Sequence, residues 1–162
     1  MKIFFQRLFY YLLIFLVFFL STGALFGGYM LLRDPTGGAL KMPLNALVNS
    51  PFHNYVIPGL ILFIFIGVIP LVLVYALIAK PLWRWADYLN IYKSQHWAWT
   101  YSLYIGIILV IWIDVQILFL GYGAFIQSFY ALLGVVMIIV ALIPSNVRYY
   151  SYRETDQYQE IL

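Results

Sequence analysis

The sequence predicts an all-α integral membrane protein, a bundle of four membrane-spanning helices, and two observations lead to it. Hydrophobic residues make up 65% of the 162 and charged residues only 9%, whereas a soluble domain has about 25% charged residues. The apolar residues also form four runs, each long enough to cross a hydrocarbon core of about 30 Å. Short connections between the runs imply antiparallel neighbours in a bundle.

A single membrane domain, residues 1–162, accounts for the whole sequence, because no polar stretch is long enough to fold by itself. The first run has 25 uncharged residues, which at about 1.5 Å per residue cross the core with some tilt. We predict spans at about 8–32, 58–79, 97–120 and 124–143, an outer loop at 33–57, a cytoplasmic loop at 80–96 and a cytoplasmic tail at 144–162.

The first span also fits a cleaved signal peptide, since a basic tip precedes it and residues 21–23 resemble a cleavage site. The apolar run continues unbroken to Leu32, which favours a retained helix. Small residues four apart let another helix approach closely, although glycine is also ordinary in membrane helices. Two such pairs are present: Gly23 with Gly27, and Ala24 with Gly28.

The outer loop opens with a predicted turn and continues into a predicted short helix. Residues 34–37 match a type I turn, with proline second and glycine fourth. Pro43 suits the first helical position, and Leu44, Leu47 and Val48 share one side. We therefore predict a short helix lying in the membrane interface. Two aromatic residues are expected to anchor the loop there, Phe52 and Tyr55.

Pro70 lies in the middle of the second span and predicts a kink. Its ring leaves the carbonyl of Ile66 without the usual hydrogen-bond donor. Membrane helices tolerate such a defect where a neighbouring helix repairs it.

The distribution of lysine and arginine predicts that both termini lie in the cytoplasm. Seven of the nine basic residues share a side with the termini, and two lie in the first connection. Basic residues favour the cytoplasmic side, so we expect an N-in, C-in protein of the plasma or bacterial inner membrane. The seven are Lys2, Arg7, Lys80, Arg84, Lys93, Arg148 and Arg153, and the two are Arg33 and Lys41.

The cytoplasmic loop is rich in tryptophan and is expected to lie flat on the membrane, because amphipathic rings prefer the headgroup level. Simple anchoring and binding of anionic lipid both fit this pattern. The predicted lipid-interface residues are Trp83, Arg84, Trp85, Lys93, Trp97 and Trp99. An interfacial position, rather than a docking motif, is also expected for His96, Tyr149, Tyr150, Tyr152 and Tyr158.

Asp114 is the only charged residue inside a predicted span. It lies about 9 Å below the outer interface, where an ionised carboxylate costs a few kcal/mol unless it is paired or hydrated. We therefore expect it to face the bundle, with Gln116, about 200° away around the axis, contacting another helix or a partner subunit. The other polar residues expected to gather in the outer half are Arg33, His53, Asp34, Gln127 and Tyr130.

Three interpretations of this predicted outer cluster are open; besides the two that follow, Asp114 is partly exposed or protonated and has no partner. In the first, Asp114 pairs with Arg33 or accepts hydrogen bonds, and only holds the loop in place. In the second, Asp114, His53 and Asp34 line a hydrated pocket that binds a cation, a proton or a lipid headgroup.

Other classes of function lack the residues they need. The chain has no cysteine and two histidines, so thiol chemistry and a multi-histidine metal site are not expected. Ser50, His53 and an aspartate could supply a Ser-His-Asp set, but no G-x-S-x-G elbow is present. The sequence has no cluster of basic residues of the kind that binds nucleic acid. We predict no catalytic residues, no metal site and no cofactor.

Three short motifs mark the outer loop: DPxG at 34–37, MP at 42–43 and SPFxxYxIPGL at 50–60. With Trp112-Ile113, Gln116 and Gly134, this pattern resembles small, uncharacterised four-span bacterial membrane proteins. The resemblance implies the topology and a bacterial inner membrane, and it implies no activity.

Two functions follow as hypotheses. The first is a non-enzymatic accessory or scaffold subunit, which lies among membrane lipids and contacts a membrane-protein partner or a second copy through its glycine faces or outer loop. The second is a protein that binds or transports a small molecule, ion, proton or lipid in a polar pocket around Asp114. A bundle without water, in which Asp114 pairs with Arg33, would favour the first hypothesis. A filled pocket that contains Asp114 would favour the second hypothesis.

Overall fold

All four predicted spans are helical in the computed structural model, which describes residues 2–123 and 125–152. Their ends fall within two residues of the predicted ends, at Arg7–Arg33, Val56–Ala79, Trp97–Leu120 and Phe125–Leu142. The described residues contain no β-strand, so the fold is all-α and indicates a multi-pass membrane protein. The α-helices are α1 (Lys2–Arg33), α2 (Val56–Ile61), α3 (Ile69–Ala79), α4 (Arg84–Tyr88), α5 (Trp97–Leu120), α6 (Phe125–Leu142) and α7 (Pro144–Tyr150).

The bundle consists of two antiparallel helix pairs. α1 packs along the whole second span, and α5 packs along α6. The pairs join where α1 meets α6 and where α3 meets α5. The second span and α5 therefore approach each other mainly at the end where α1 begins and α7 lies. We call that end the terminal end and the opposite one the loop end.

Each pair is closed at glycines where two backbones nearly touch. A Cβ on Gly28 would lie 2.8 Å from the backbone nitrogen of Phe63, and one on Gly134 would lie 2.9 Å from the carbonyl oxygen of Gly106. The other small residues of α1 also pack inside the chain: Ala24 is buried, Gly27 faces Leu62, and Gly23 faces Tyr130. The helix faces that carry these glycines were considered for contact with a partner, but they are covered by other helices of the same chain.

The second span changes its helical register just before Pro70. Leu62–Val68 forms a π-helix, in which Ile69 N–H donates to the carbonyl of Ile64, five residues earlier. The buried hydroxyl of Ser21 on α1 donates to the carbonyl of Gly67 at 2.8 Å. The expected disruption at Pro70 thus takes the form of a π segment, with a hydroxyl from the neighbouring helix satisfying a nearby carbonyl.

The loop between spans 1 and 2 starts with the predicted turn, where Gly37 N–H donates to the carbonyl of Asp34 at 3.0 Å. The Asp34 carboxylate accepts hydrogen bonds from the Thr36 hydroxyl at 2.6 Å and from Ala39 N–H at 2.8 Å. These bonds, the Thr36 hydroxyl foremost, lower the pKa of Asp34. Asp34 therefore belongs to the turn itself and is not directed toward a site.

The middle of this loop is folded onto the bundle as 3₁₀ turns at Gly38–Leu40 and Leu44–Leu47. The three apolar residues of the predicted short helix do not share one face, since Leu47 is 4% exposed and Val48 is 77% exposed. Tyr55, expected at the interface, is buried, and its hydroxyl donates to the carbonyl of Pro43 at 3.0 Å. Tyr55 holds the loop closed because its ring and its hydroxyl both contact the loop's own residues.

Candidate functional site

Asp114 lies on the outside of the bundle, where its side chain is exposed. No hydrogen bond or ion pair from any other described residue reaches it. The expectation that Asp114 faces the interior is therefore wrong. Leu109 is 2% exposed and marks the inward side of α5, and Asp114, five residues later, lies about 140° around the helix from it.

Gln116 takes the inward position instead, one heptad after Leu109 and about 20° from it around the axis. It lines a cleft beneath the loop, formed by the end of α1, the start of the second span and the loop-end half of α5. The sequence correctly predicted that Gln116 and Asp114 lie on opposite sides of α5. It placed Asp114 on the side that faces the bundle, whereas the structure places Gln116 there. α5 is apolar on every side, so its pattern does not show which side faces lipid.

The cleft beneath the loop is small and mostly apolar. Its volume is about 60 Å³, and Leu31, Phe52 and Leu62 are among its lining residues. The indole N–H of Trp112, which also lines it, is buried without a hydrogen-bond partner among the described residues. Drug-sized ligands occupy about 300–1,000 Å³, so this space suits a water or two rather than a headgroup.

The other members of the predicted outer cluster are dispersed. Arg33 and His53 are exposed, and no described residue pairs with either. The Gln127 amide accepts from Gly123 N–H at 3.0 Å and donates to the carbonyl of Gly121 at 3.2 Å, which closes the α5–α6 turn. Tyr130 packs against α1 at Gly23. The structure does not bring these residues together around Asp114.

The tryptophans at the terminal end divide into buried and exposed ones. Trp97 and Trp99 are buried at 3% and 4% exposure. Their indole nitrogens donate to the carbonyls of Pro81 at 2.8 Å and Ala141 at 2.9 Å. Their assignment to the lipid interface is therefore wrong, since both rings are part of the core. Trp83 is half-buried between its neighbours, whereas the exposed members of the predicted set are Arg84, Trp85 and Lys93.

A buried asparagine folds the connection between spans 2 and 3 into a compact cap. Asn90 donates to the Asp87 carboxylate and to the backbone carbonyl of Gln95, both at 2.8 Å. It also accepts from the Thr100 hydroxyl at 2.5 Å. Lys93 forms an ion pair with Asp87 at 3.1 Å on the outside of the cap. This connection is therefore a packed cap held together by polar side chains.

The tail returns to the bundle as α7 and is part of the fold. Tyr150 is 1% exposed, and its hydroxyl donates to the carbonyl of Leu77 at 3.0 Å. Asn146, fully buried, donates to the carbonyl of Phe9 at 3.1 Å and to that of Val140 at 2.8 Å. The interfacial assignment of Tyr150 is therefore wrong. Tyr149 is exposed, Tyr152 is half-buried, and Tyr158 lies outside the described residues.

Lys80 connects the tail to the end of the second span. Its ammonium donates to the carbonyl of Tyr149 at 3.0 Å and lies 3.6 Å from the centre of that ring. Burial lowers the pKa of Lys80. The tail is also joined to the cap, because Gln95 donates to the Ser151 hydroxyl at 2.8 Å.

His96 caps the start of α5 at this junction and is 4% exposed, not interfacial. Its Nδ1 accepts from Ala98 N–H at 3.2 Å, and its backbone N–H donates to the carbonyl of Tyr150 at 2.7 Å. Burial lowers the pKa of His96 below its usual value. A neutral imidazole is required here, because a protonated ring cannot accept the capping hydrogen bond.

We expect the stability of the terminal end to fall at acidic pH through His96. Because the pKa of His96 is lowered on folding, the unfolded chain binds more protons below about pH 6.5. The unfolding free energy should be flat above about pH 7 and should decrease as pH falls below 6.5, by up to about 1.4 kcal/mol per pH unit. Tryptophan fluorescence during chemical unfolding in detergent measures this.

The matched variant is His96→Asn, whose side chain supplies a capping oxygen that does not titrate. It should remove the decrease between pH 6.5 and the folded pKa while keeping the fold. An identical pH profile for the variant and the wild-type protein would show that another group titrates.

Comparison of the chain with protein-family models, with curated proteins and with solved structures finds no significant match. Among the described residues, no group of three or more histidines and carboxylates is placed to hold a metal ion. The candidate site therefore rests on geometry alone. In the described part of the chain, the exposed carboxylate on α5 is a charged group at membrane depth that no contact in the bundle explains.

Proposed function

We propose that this chain is a small, non-enzymatic accessory subunit of the membrane, which binds a protein partner through the outward face of α5. The observation that supports it most directly is Asp114, exposed about 9 Å from the loop end of its span and without a partner among the described residues. A lone carboxylate facing lipid costs a few kcal/mol, and such residues mark functional contacts in membrane proteins. A bound partner would remove that cost.

The rest of the bundle supports a contact at this face rather than elsewhere. The glycine faces, first considered for partner contact, are occupied by α1, the second span, α5 and α6 themselves. The terminal end is closed by the hydrogen bonds of Asn90, Asn146 and Tyr150. An outward polar group with no internal role is therefore found at Asp114.

We also propose the orientation and membrane that the sequence predicted. Both termini lie in the cytoplasm of a bacterial cell, in the inner membrane, and the loop end faces outward. The excess of lysine and arginine at the terminal end supports this orientation. The loop motifs at 34–37 and 50–60 support membership of the small four-span bacterial group.

The alternative, a ligand-binding or transport protein with a pocket around Asp114, has less support. The cleft beneath the loop does not include Asp114, and its volume is about 60 Å³. From the sequence, an Asp114–Arg33 pair was expected under the first hypothesis and a filled pocket containing Asp114 under the second. The structure has neither, because Asp114 is not paired with Arg33 and does not line the cleft.

We expect a photoreactive residue on the α5 face to cross-link a protein partner in cells of the native organism. Ile111 and Leu118 flank Asp114 on the exposed surface, and Phe15 is equally exposed on α1. Probes at 111 and 118 should give one discrete adduct that a probe at 15 does not give. Asp114→Asn should weaken that adduct roughly 5- to 30-fold, because a polar contact between membrane helices contributes about 1–2 kcal/mol.

Asp87→Asn is the matched control, since it makes the same chemical change in the cap at the terminal end. It should leave the adduct unchanged. Lipid-only cross-links from all three probe positions, with a monomeric particle in mild detergent, would refute the accessory role.

A further inference from the structure

α5 presents a stripe of exposed residues with the spacing used by packed membrane helices. Ile107, Ile111, Asp114 and Leu118 follow one another at intervals of four, three and four, and the three aliphatic ones are 46%, 55% and 76% exposed. This alternation matches a left-handed helix pair with a crossing angle of about 20°. We call these four residues the α5 stripe.

In the part of the chain that the structure describes, no cation forms an ion pair with the charge in the α5 stripe. Arg33 is at the loop end of α1, and α1 packs against the second span and α6 rather than α5. Tyr122, one turn beyond Leu118, has its hydroxyl engaged with Ser128 at 2.8 Å. Since no described residue pairs with Asp114, we look to another molecule for a cation that neutralises it.

We infer that the α5 stripe binds a transmembrane helix of a different protein, and that this helix carries one lysine or arginine at the depth of Asp114. This inference rests on the proposed accessory role and specifies the chemistry of its partner. A basic side chain on a helix reaches a carboxylate at this depth, and the pair removes the cost of both charges. Aliphatic residues at the other stripe positions pack against the same helix.

Other occupants fit the stripe less well. A second copy joined through the same stripe would place two carboxylates together, which disfavours ionisation of both. A lipid headgroup lies about 9 Å away along the helix, and an aspartate side chain is too short to extend to it. A helix with a basic residue satisfies both the charge and the depth.

The test uses synthetic Leu/Ala-rich transmembrane peptides and the purified full-length protein in phosphatidylcholine vesicles. One peptide carries arginine six residues from the end that matches the loop end, a second carries leucine there, and a third carries glutamate. Energy transfer between labelled peptide and labelled protein reports binding. The arginine peptide should bind wild-type protein about tenfold more tightly than the leucine peptide, and the glutamate peptide should bind no better than leucine.

Asp114→Asn should reduce the ratio of the affinities for the arginine and leucine peptides to about one. Asp87→Asn should leave this ratio unchanged. Moving the arginine seven residues deeper should also remove the preference, because the charges no longer meet. Equal binding of the arginine and leucine peptides to wild-type protein would overturn the basic-helix inference. The accessory role would survive that result if the cross-links at 111 and 118 persisted.

Self-association of the protein in vesicles that depends on Asp114 and exceeds arginine-peptide binding would identify a second copy as the occupant and would also overturn the inference. Because Asp114 is exposed, Asp114→Asn should fold normally. The peptide comparison on wild-type protein decides the question without any variant.

Discussion

Gly134→Leu should destabilise the bundle by about 3 kcal/mol, the upper end of the usual cost of overpacking, because α5 and α6 touch backbone to backbone at this position. A Cβ on Gly134 would lie 2.9 Å from the carbonyl oxygen of Gly106 and 2.9 Å from a methyl carbon of Val110. The leucine side chain has no space to occupy unless the helices separate. Separation would also weaken the bond between Trp99 and the carbonyl of Ala141.

The midpoint of thermal unfolding in mild detergent, followed by tryptophan fluorescence, measures this effect. Gly123→Leu is the control, because a Cβ on Gly123 meets nothing within 4 Å. The control should unfold close to the wild-type midpoint, and Gly134→Leu should unfold far below it or fail to purify as a folded monomer. Equal midpoints for the two variants would show that the α5–α6 contact can open without cost.

The positions of the spans could be predicted from the sequence because a membrane imposes length and hydropathy directly. Long apolar runs bounded by charged and proline-containing segments mark where helices enter and leave the hydrocarbon. This is why residues 97–120 were predicted with the same ends as the structure shows. The π segment was not predicted, since Pro70 showed where the helix is disturbed but not how it rearranges.

The inward face of each span could not be predicted, because lipid-facing and core-facing side chains are equally apolar. Asp114 was placed inward on the assumption that a charge avoids lipid. Packing of Leu109 and Gly106 fixes the rotation of α5 regardless of one unfavourable residue. Here the preference of a charged side chain to avoid lipid conflicts with the packing of the fold, and such conflicts are typical of functional positions.

Trp97 and Trp99 show the limit of the aromatic-belt rule. Tryptophan favours the interface because its ring is apolar and its N–H needs an acceptor. Here two carbonyls of the chain, those of Pro81 and Ala141, accept those hydrogen bonds inside the protein. The sequence shows the donor but does not show the acceptor that the fold will supply.

The last span was predicted to end at 143, close to the end of α6 at Leu142, but the helix that follows it in the tail was not predicted. A proline also suits the first turn of a new helix, and α7 begins with it. Helical spacing from Pro144 would have placed Asn146 and Tyr150, four residues apart, on one side. Both are buried in the structure, and they fasten α7 to the terminal end.

Tyr150→Ala is the second substitution for which we expect a large effect, because it removes the side chain that fastens α7 to the bundle. Truncation of a buried aromatic residue costs about 3–5 kcal/mol, and the carbonyl of Leu77 loses its donor at 3.0 Å. Tyr150→Phe should cost only about 0.5–1.5 kcal/mol, since it keeps the ring and removes the hydrogen bond. Tyr88→Ala, at a position 87% exposed, should be close to neutral.

Two measurements separate local release of α7 from global unfolding. The thermal midpoint should fall in the order Tyr88→Ala, Tyr150→Phe, Tyr150→Ala. Trypsin cleavage after Arg148, which lies in α7, should be slow in wild-type protein and fast in Tyr150→Ala at temperatures where the four spans remain folded. Slow cleavage in Tyr150→Ala, with an unchanged midpoint, would mean that α7 is held by Asn146 and Lys80 without help from the tyrosine.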